Sequence, residues 1–341
     1  MNHRFAVEWL KAFRESPEKV CKLYADDFLF EDLMLDQSIT DKDELHRAFA
    51  PYANADLTNG VGVHHFRIDE VIGDERAALI RWSWRAHGAD TFLGIPTNGK
   101  VVGTSGHTFH IYENGLIKRE STYWDATSVL RELGQPVSTR GVTAPSASPS
   151  RPSRVSVPAH APQLHHQEYR KTTASQDRQD HAHRWTTALS SDTDAAVEMY
   201  ADDLVYDDRN DIDHVYDTAT NKAELRERIA PFANTDPGNG LGIHRFEVLD
   251  VLDATGAQGS RAVTILWRWT GEHLASFRGV PVPAGTTLTT RGQSWHQLDA
   301  DGKIVRESTF WNDVPVFQAL GLPVLTPHYW AADFDPNSLG S

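Results

Sequence analysis

The chain has 341 residues, 40% hydrophobic and 23% charged, with a formal net charge of −14. At roughly 150 residues per domain that length suits about two domains, each large enough to bury its own core. Uniform acidity without a Lys/Arg cluster repels phosphate backbones and excludes nucleic acid as an expected partner. No run approaches the ~18 apolar residues that span a bilayer, and no zinc spacing, Walker loop or dinucleotide fingerprint occurs. Cys21 is the only cysteine, so no intrachain disulfide forms, and the N-terminal residues lack a signal-peptide apolar core. A reducing, cytoplasmic setting without membrane partners is therefore expected.

The first elements are two short helices over 5–14 and 16–25, the second opened by Ser16-Pro17-Glu18, a cap residue followed by Pro at the first position. Phe28 to Asp32 reads as a short strand. Thr40 to Ala53 reads as a third helix, capped by Thr40 or Asp41 with Glu44 behind. Four strands follow, over 61–71, 77–86, 100–112 and 116–124. The last two are joined by Glu113-Asn114-Gly115, an Asn-Gly hairpin signal. A short helix over 125–133 closes at Gly134. Helices followed by an antiparallel meander specify an α+β domain whose curved sheet wraps on helices to leave an apolar interior.

The same order then recurs. Tyr24-Ala25-Asp26-Asp27 returns as Tyr200-Ala201-Asp202-Asp203, and Ala50-Pro51-Tyr52-Ala53-Asn54 as Ala230-Pro231-Phe232-Ala233-Asn234. Trp82-Ser83-Trp84 returns as Trp267-Arg268-Trp269, Gly94-Ile95-Pro96 as Gly279-Val280-Pro281, and Arg119-Glu120-Ser121-Thr122-Tyr123-Trp124 as Arg306-Glu307-Ser308-Thr309-Phe310-Trp311. Preserved order over that distance means two whole domains. The expected organisation is a first domain over 1–137, a flexible Ser/Pro-rich linker over 138–177, a second domain over 178–325 and a tail over 326–341. The linker is rich in Ser, Pro and Ala and has no apolar period.

"YADDFLFED" and "YADDLVYDD" resemble the segment of ketosteroid isomerases that carries the catalytic base. Each copy also ends as SnoaL-like polyketide cyclases do, with a hairpin, an aromatic pair and a helix ending Leu-Gly. Both families share the cone fold of the nuclear transport factor two-like superfamily. The resemblance covers about 130 residues of each half. It implies two α+β cones, each a curved antiparallel sheet wrapped on three to four helices. It places the isomerase base on Asp32 and Asp208, and the aromatic wall beside it on Trp124 and Trp311. The acids of the isomerase oxyanion hole do not carry over: their places fall near Trp9 and on Thr108, and near Trp185 and on Ser294. The cyclase Asp falls on Thr122 and Thr309, and the cyclase strand histidine corresponds to His110 and His296.

A carboxylate in an apolar pocket can take a proton from carbon next to a carbonyl, its basicity raised by desolvation while an opposing donor stabilises the enolate. The handedness of roles follows the ketosteroid isomerase pattern. Asp32, His110, Asp208 and His296 are thus the candidate catalytic residues. Trp9, Tyr52, Thr108, Thr122 and Trp124, with Trp185, Phe232, Ser294, Thr309 and Trp311, are the candidate substrate-binding residues. Competing readings are a strand-end cap for Asp32, a solvated or cation-binding acidic loop around Asp207, Asp208, Asp211 and Asp213, and buried acids or salt bridges to Arg119 and Arg306 for Glu120 and Glu307. His64 and His244 are expected to face solvent or an interface.

The expected function is a cofactor-independent enzyme acting by proton transfer on a small, largely apolar carbonyl compound, as an isomerase, cyclase or dehydratase of specialised metabolism. No metal, nucleotide or flavin is expected. One alternative is a non-catalytic binding or assembly module. The other is an epoxide hydrolase of the limonene type, which needs an Asp-Arg-Asp set that the sequence does not place around Arg81, Arg85 or Arg268. The two copies are expected to pack as an intramolecular pseudo-dimer, with the Trp82/Trp84 and Trp267/Trp269 pairs on the outer sheet faces. Copy one is favoured as the active one because the apolar loop Leu33-Met34-Leu35 follows its base.

Overall fold

A computed structural model of the chain describes residues 2–35, 37–53, 62–73, 75–92, 95–125, 129, 132–134, 174–208, 217–253 and 261–320. The chain divides into two compact units whose main bodies are residues 1–137 and 164–322. The expected linker lies outside the described residues as far as 173, and the expected tail over 326–341 lies wholly outside them.

In the first unit α1 (Asn2–Glu15) and α2 (Pro17–Cys21) are separated by Ser16, whose hydroxyl accepts from the Lys19 N–H while Pro17 fills the first turn. The chain then enters β1 (Tyr24–Asp32) four residues sooner than the sequence pattern suggests, so Tyr24 opens a strand instead of ending a helix. Strand β2 (Gln37–Ile39) returns along β1. Helix α3 (Lys42–Phe49) starts at Asp41, whose carboxylate accepts from the N–H groups of Asp43 and Glu44, and it tightens into a 3-10 turn at Ala50–Tyr52 where Pro51 ends the α pattern. The strands β3 (Val63–Gly73), β4 (Ala77–His87), β7 (Val102–Glu113) and β8 (Leu116–Trp124) form the meander, with the short pair β5 (Thr91–Phe92) and β6 (Ile95–Pro96) between β4 and β7. Asn114 and Gly115 hold φ of 54° and 79°, the positive values that the tight β7–β8 turn requires.

The sheet order is β2-β1-β8-β7-β4-β3. All neighbours are antiparallel except β1 and β8, which run parallel and set Asp32 beside Thr122. A register shift between Ile68 and Glu70 in β3 adds curvature, and α1 packs across β3. The concave face therefore looks at the helices, and residues alternating along β4, β7 and β8 converge there.

The second unit repeats this plan. It has α4 (Gln176–Ser191), α5 (Thr193–Glu198), β9 (Tyr200–Asp208), β10 (Asp217–Ala219), α6 (Lys222–Ile229), β11 (Leu241–Asp253), β12 (Ala262–Leu274), the short pair β13 (Ser276–Phe277) and β14 (Val280–Pro281), β15 (Leu288–Leu298), β16 (Ile304–Trp311) and α7 (Val314–Ala319). Its sheet order is β10-β9-β16-β15-β12-β11, with β9 parallel to β16. The helix expected over 125–133 in the first unit lies mostly outside the described residues.

The tryptophan pairs correct an expectation. Trp82, Trp84, Trp267 and Trp269 are all buried, and their indoles point to the helix side of their own sheets. His64 and His244 are buried with them. Each accepts an indole N–H, from Trp84 at 3.1 Å and from Trp269 at 3.0 Å, so neither faces solvent. Burial pushes the His244 imidazole pKa down.

The seat of Trp82 depends on a glycine. Gly106 pairs with Trp82 across β4 and β7, and a Cβ there would meet Trp82 Cζ2 and the Tyr123 carbonyl oxygen, each at 2.5 Å. The second unit seats Trp267 over Gly292 in the same way, at 2.1 Å. Gly106→Ala is expected to force the indole out of place and to cost about 1–3 kcal/mol, the usual penalty of overpacking. Urea unfolding followed by tryptophan fluorescence checks this, and an unchanged midpoint with an unchanged folded-state spectrum refutes it.

Candidate functional site

A pocket opens in the first unit between α1, α3 and the concave sheet. Its wall is aromatic, formed by Trp9, Phe13, Phe30, Phe49, Tyr52, Phe66, Trp82, Trp84, Phe92 and Trp124. Polar groups on that wall are Asp32, Glu120, Thr104, Thr108 and Thr122.

Asp32 ends β1 and is almost fully buried. One carboxylate oxygen accepts from the N–H groups of Met34 (3.0 Å) and Leu35 (3.2 Å), which closes the turn after the strand. The other accepts from Trp124 Nε1 at 2.7 Å. Desolvation pushes its pKa up to about 7, against these three hydrogen bonds, which pull it down. The capping role and the place on the cavity wall coexist, one on each oxygen.

Glu120 is the wall residue whose part in the site the sequence left open. It does not pair with Arg119, which turns to Glu31 at 2.8 Å. Its Oε2 instead accepts from the Tyr24 hydroxyl and lies 2.9 Å from His110 Nε2. Its Oε1 accepts from the Thr122 hydroxyl at 3.1 Å. Thr122 lies 2.8 Å from Thr108, whose oxygen accepts from Trp82 Nε1 at 2.9 Å. Because the indole can only donate and the Thr122 proton is committed to Glu120, the hydroxyls are ordered in one direction, from Trp82 through Thr108 and Thr122 to Glu120. His110 is fully buried behind Glu120, backed by the Tyr112 hydroxyl at 3.1 Å, and does not line the cavity. Trp9 Nε1 donates to the Tyr24 hydroxyl at 3.3 Å. Burial and the neighbouring Glu120 carboxylate hold the Tyr24 phenol pKa well above its ordinary value, so it serves as a donor.

The alternation of 120, 122 and 124 along β8 was a signal for Glu120, since it puts the carboxylate on the face of Thr122 and Trp124.

The second unit keeps the relay. Trp267 Nε1 donates to Ser294 at 3.0 Å, Ser294 bonds Thr309, and Thr309 donates to Glu307 at 2.8 Å. Tyr200 donates to Glu307, and Trp185 Nε1 donates to Tyr200 at 3.1 Å. His296 Nε2 lies 3.2 Å from Glu307, while its Nδ1 meets His181 at 3.0 Å. Burial lowers the His181 pKa to about 2, which keeps that ring neutral.

The carboxylate equivalent to the first unit's base sits differently. Asp208 does not line the second cavity, and neither does Ser294. Asp208 lies 3.4 Å from Arg278, whose Nε lies 3.3 Å from Asp313. That cavity is smaller. The Trp311 indole fills part of it, stacked on Phe232 at 5.8 Å and edge-on to Trp267 at 4.7 Å. Trp185, Phe232, Thr309 and Trp311 remain on its wall.

An Asp-Arg-Asp set thus exists at Asp208, Arg278 and Asp313, and not at the arginines considered from sequence. Arg81 pairs with Glu70 and Arg268 with Glu247. Of the acidic loop, Asp207 pairs with Arg306, and Asp211 and Asp213 lie outside the described residues. No cluster of three or more His, Cys, Asp or Glu fit to hold a metal occurs among the described residues.

A description of the SnoaL-like domain matches residues 6–120 and again 182–307. The chain belongs to the SnoaL-like domain family. Both matched stretches run from the first helix of a unit to the strand carrying Glu120 or Glu307. No curated protein matches the chain. Among solved structures, the chain is similar in fold to a hypothetical protein with a ketosteroid isomerase-like fold from Catenulispora acidiphila, solved with trimethylamine. Identity is 15%, covering 40% of this chain and 96% of that one, with a TM-score of 0.33. It is also similar to a "putative polyketide cyclase" from Xanthomonas campestris pv. campestris, at 16% identity over 43% of this chain and 99% of that one, TM-score 0.33. A third is TsrD from Streptomyces laurentii, at 16% identity over 39% and 93%, TM-score 0.32. Each covers about one unit of this SnoaL-like chain. No helix among the described residues is long and apolar enough to cross a membrane.

Proposed function

We propose that the first unit is a cofactor-independent proton-transfer catalyst acting on a small, largely apolar carbonyl compound. The SnoaL-like family includes isomerases and cyclases, and the single observation that carries the reading here is Asp32. A carboxylate on the wall of an aromatic cavity, with its pKa raised to about 7, is poised as a general base near neutrality. In this reading Asp32 takes a proton from carbon next to the carbonyl. The Thr108 and Thr122 hydroxyls lie on the same wall, with their protons directed along the relay to Glu120. Trp82 orders this relay by donating to Thr108.

The second unit serves as a partner domain without turnover. Its equivalent carboxylate is engaged by Arg278 and off the cavity wall. Exchange of α-hydrogens of 2-tetralone in D2O, followed by NMR, tests the proposal without requiring the natural substrate. Parent chain that exchanges no faster than buffer refutes it and leaves a binding module as the reading.

A further inference from the structure

The two units act as each other's comparison. In the second, four groups converge on a cation supplied by the chain itself: Asp208, Phe277, Trp311 and Asp313, whose carboxylate lies 3.3 Å from Arg278 Nε. The Arg278 guanidinium lies 3.4 Å from Asp208, and its carbon sits 5.8 Å from the ring centres of both Phe277 and Trp311. Arg278 and Gly279 form the corner between β13 and β14, with φ of 45° and 80°. The counterparts of Asp208, Phe277 and Trp311 in the first unit are Asp32, Phe92 and Trp124, and all three line its cavity. The counterpart of Arg278 is not conserved between the copies. In sequence, Phe277-Arg278-Gly279-Val280-Pro281 aligns with Phe92-Leu93-Gly94-Ile95-Pro96, so the residue corresponding to Arg278 is Leu93, which lies outside the described residues.

In sequence the first unit therefore keeps one of the two carboxylates and both rings, has Ala126 in line with Asp313, and lacks the arginine. Ten of its sixteen described wall residues are aromatic, two are carboxylates, and none is Lys, Arg or His. Aromatic faces and a desolvated carboxylate both favour a weakly hydrated positive charge over a neutral group of the same shape. We infer that the first unit's cavity binds a small organic cation, an ammonium or guanidinium head bearing apolar substituents, at the position Arg278 fills in the second. The proposal deepens the proton-transfer reading, since it names the class of compound for the same cavity. It rests on that cavity being the working site, but it is read by binding alone.

The test is calorimetric titration of the full chain with choline and with 3,3-dimethylbutan-1-ol, its neutral carbon isostere. Choline is expected to bind about 10- to 30-fold more tightly. Leu93→Arg, which installs the second unit's own residue, is expected to remove that preference, with circular dichroism and melting confirming the fold. Asp32→Asn is expected to remove it while the alcohol still binds. Equal affinity for the two compounds in the parent overturns the inference, and so does a preference that survives both substitutions. The two proposals fail separately. Equal binding with α-hydrogen exchange that depends on Asp32 defeats the cation class alone. A choline preference with exchange that Asp32→Asn leaves unchanged defeats proton transfer alone.

Discussion

Asp32→Asn is expected to lower the α-hydrogen exchange rate by about 10²–10⁴, the usual contribution of a positioned general base, while Asp208→Asn leaves it unchanged. The asymmetry follows from the partners. Asp32 lies on its cavity wall with Trp124 as its side-chain donor, whereas Asp208 lies against Arg278 and outside the second cavity. The parent's rate is expected to rise with pH and level off above about 7, as the Asp32 carboxyl ionises. Stability should run the other way. The folded chain holds this proton more tightly than the unfolded chain, because desolvation raises the pKa. The contribution of the protonated carboxyl is therefore complete below the ordinary carboxylate pKa, roughly 4, and is lost as pH rises through about 7. Exchange rates and urea midpoints measured over the same pH range check both trends. A flat rate profile, or equal losses in the two Asp→Asn variants, defeats the assignment of the base to the first unit.

Glu120→Ala is expected to destabilise the first unit by about 3–5 kcal/mol, since a buried group left without its hydrogen-bond partner costs roughly 1–3 kcal/mol. Three groups lose their acceptor at once: the Tyr24 hydroxyl, the Thr122 hydroxyl and His110 Nε2. Glu307→Ala should cost somewhat less, because the Tyr200 and Thr309 hydroxyls lose the same acceptor. Against a total of about 5–15 kcal/mol for a typical domain, either change is large. Urea titration of the full chain measures it. A cost below about 1 kcal/mol in both variants means the relay is not held by its carboxylate.

The relay also explains why so much of the site was hidden in the sequence. Thr108, Thr122 and Ser294, Thr309 read as weak replacements for acids, because the carboxylate they bond sits two residues from the place the family pattern assigns to it. His110 and His296 read as wall residues, but each is held behind a glutamate by packing from the first helix, Trp9 in one unit and Trp185 in the other. The tryptophan pairs were correctly placed on one strand face, since residues two apart always share one. Which face that was depended on where the sheet curved, and the helices cover the tryptophans' side. The Asp-Arg-Asp cluster is not legible in the sequence because Arg278 comes from a two-residue hairpin corner about seventy positions from Asp208, a distance no local pattern spans.

What the sequence determined by itself is the duplication, the order of elements, the cap at Ser16 and the Asn114-Gly115 turn. All of these are local, set by side-chain periodicity, by hydrogen bonds to nearby backbone groups and by the φ that a residue tolerates. The tertiary structure alone decided which carboxylates are desolvated, which hydroxyls point at which acceptor, and that a guanidinium occupies one unit's carboxylate and not the other's. Those outcomes depend on distances of a few ångströms between segments far apart in the chain, and electrostatic energies in a buried site change steeply over such distances.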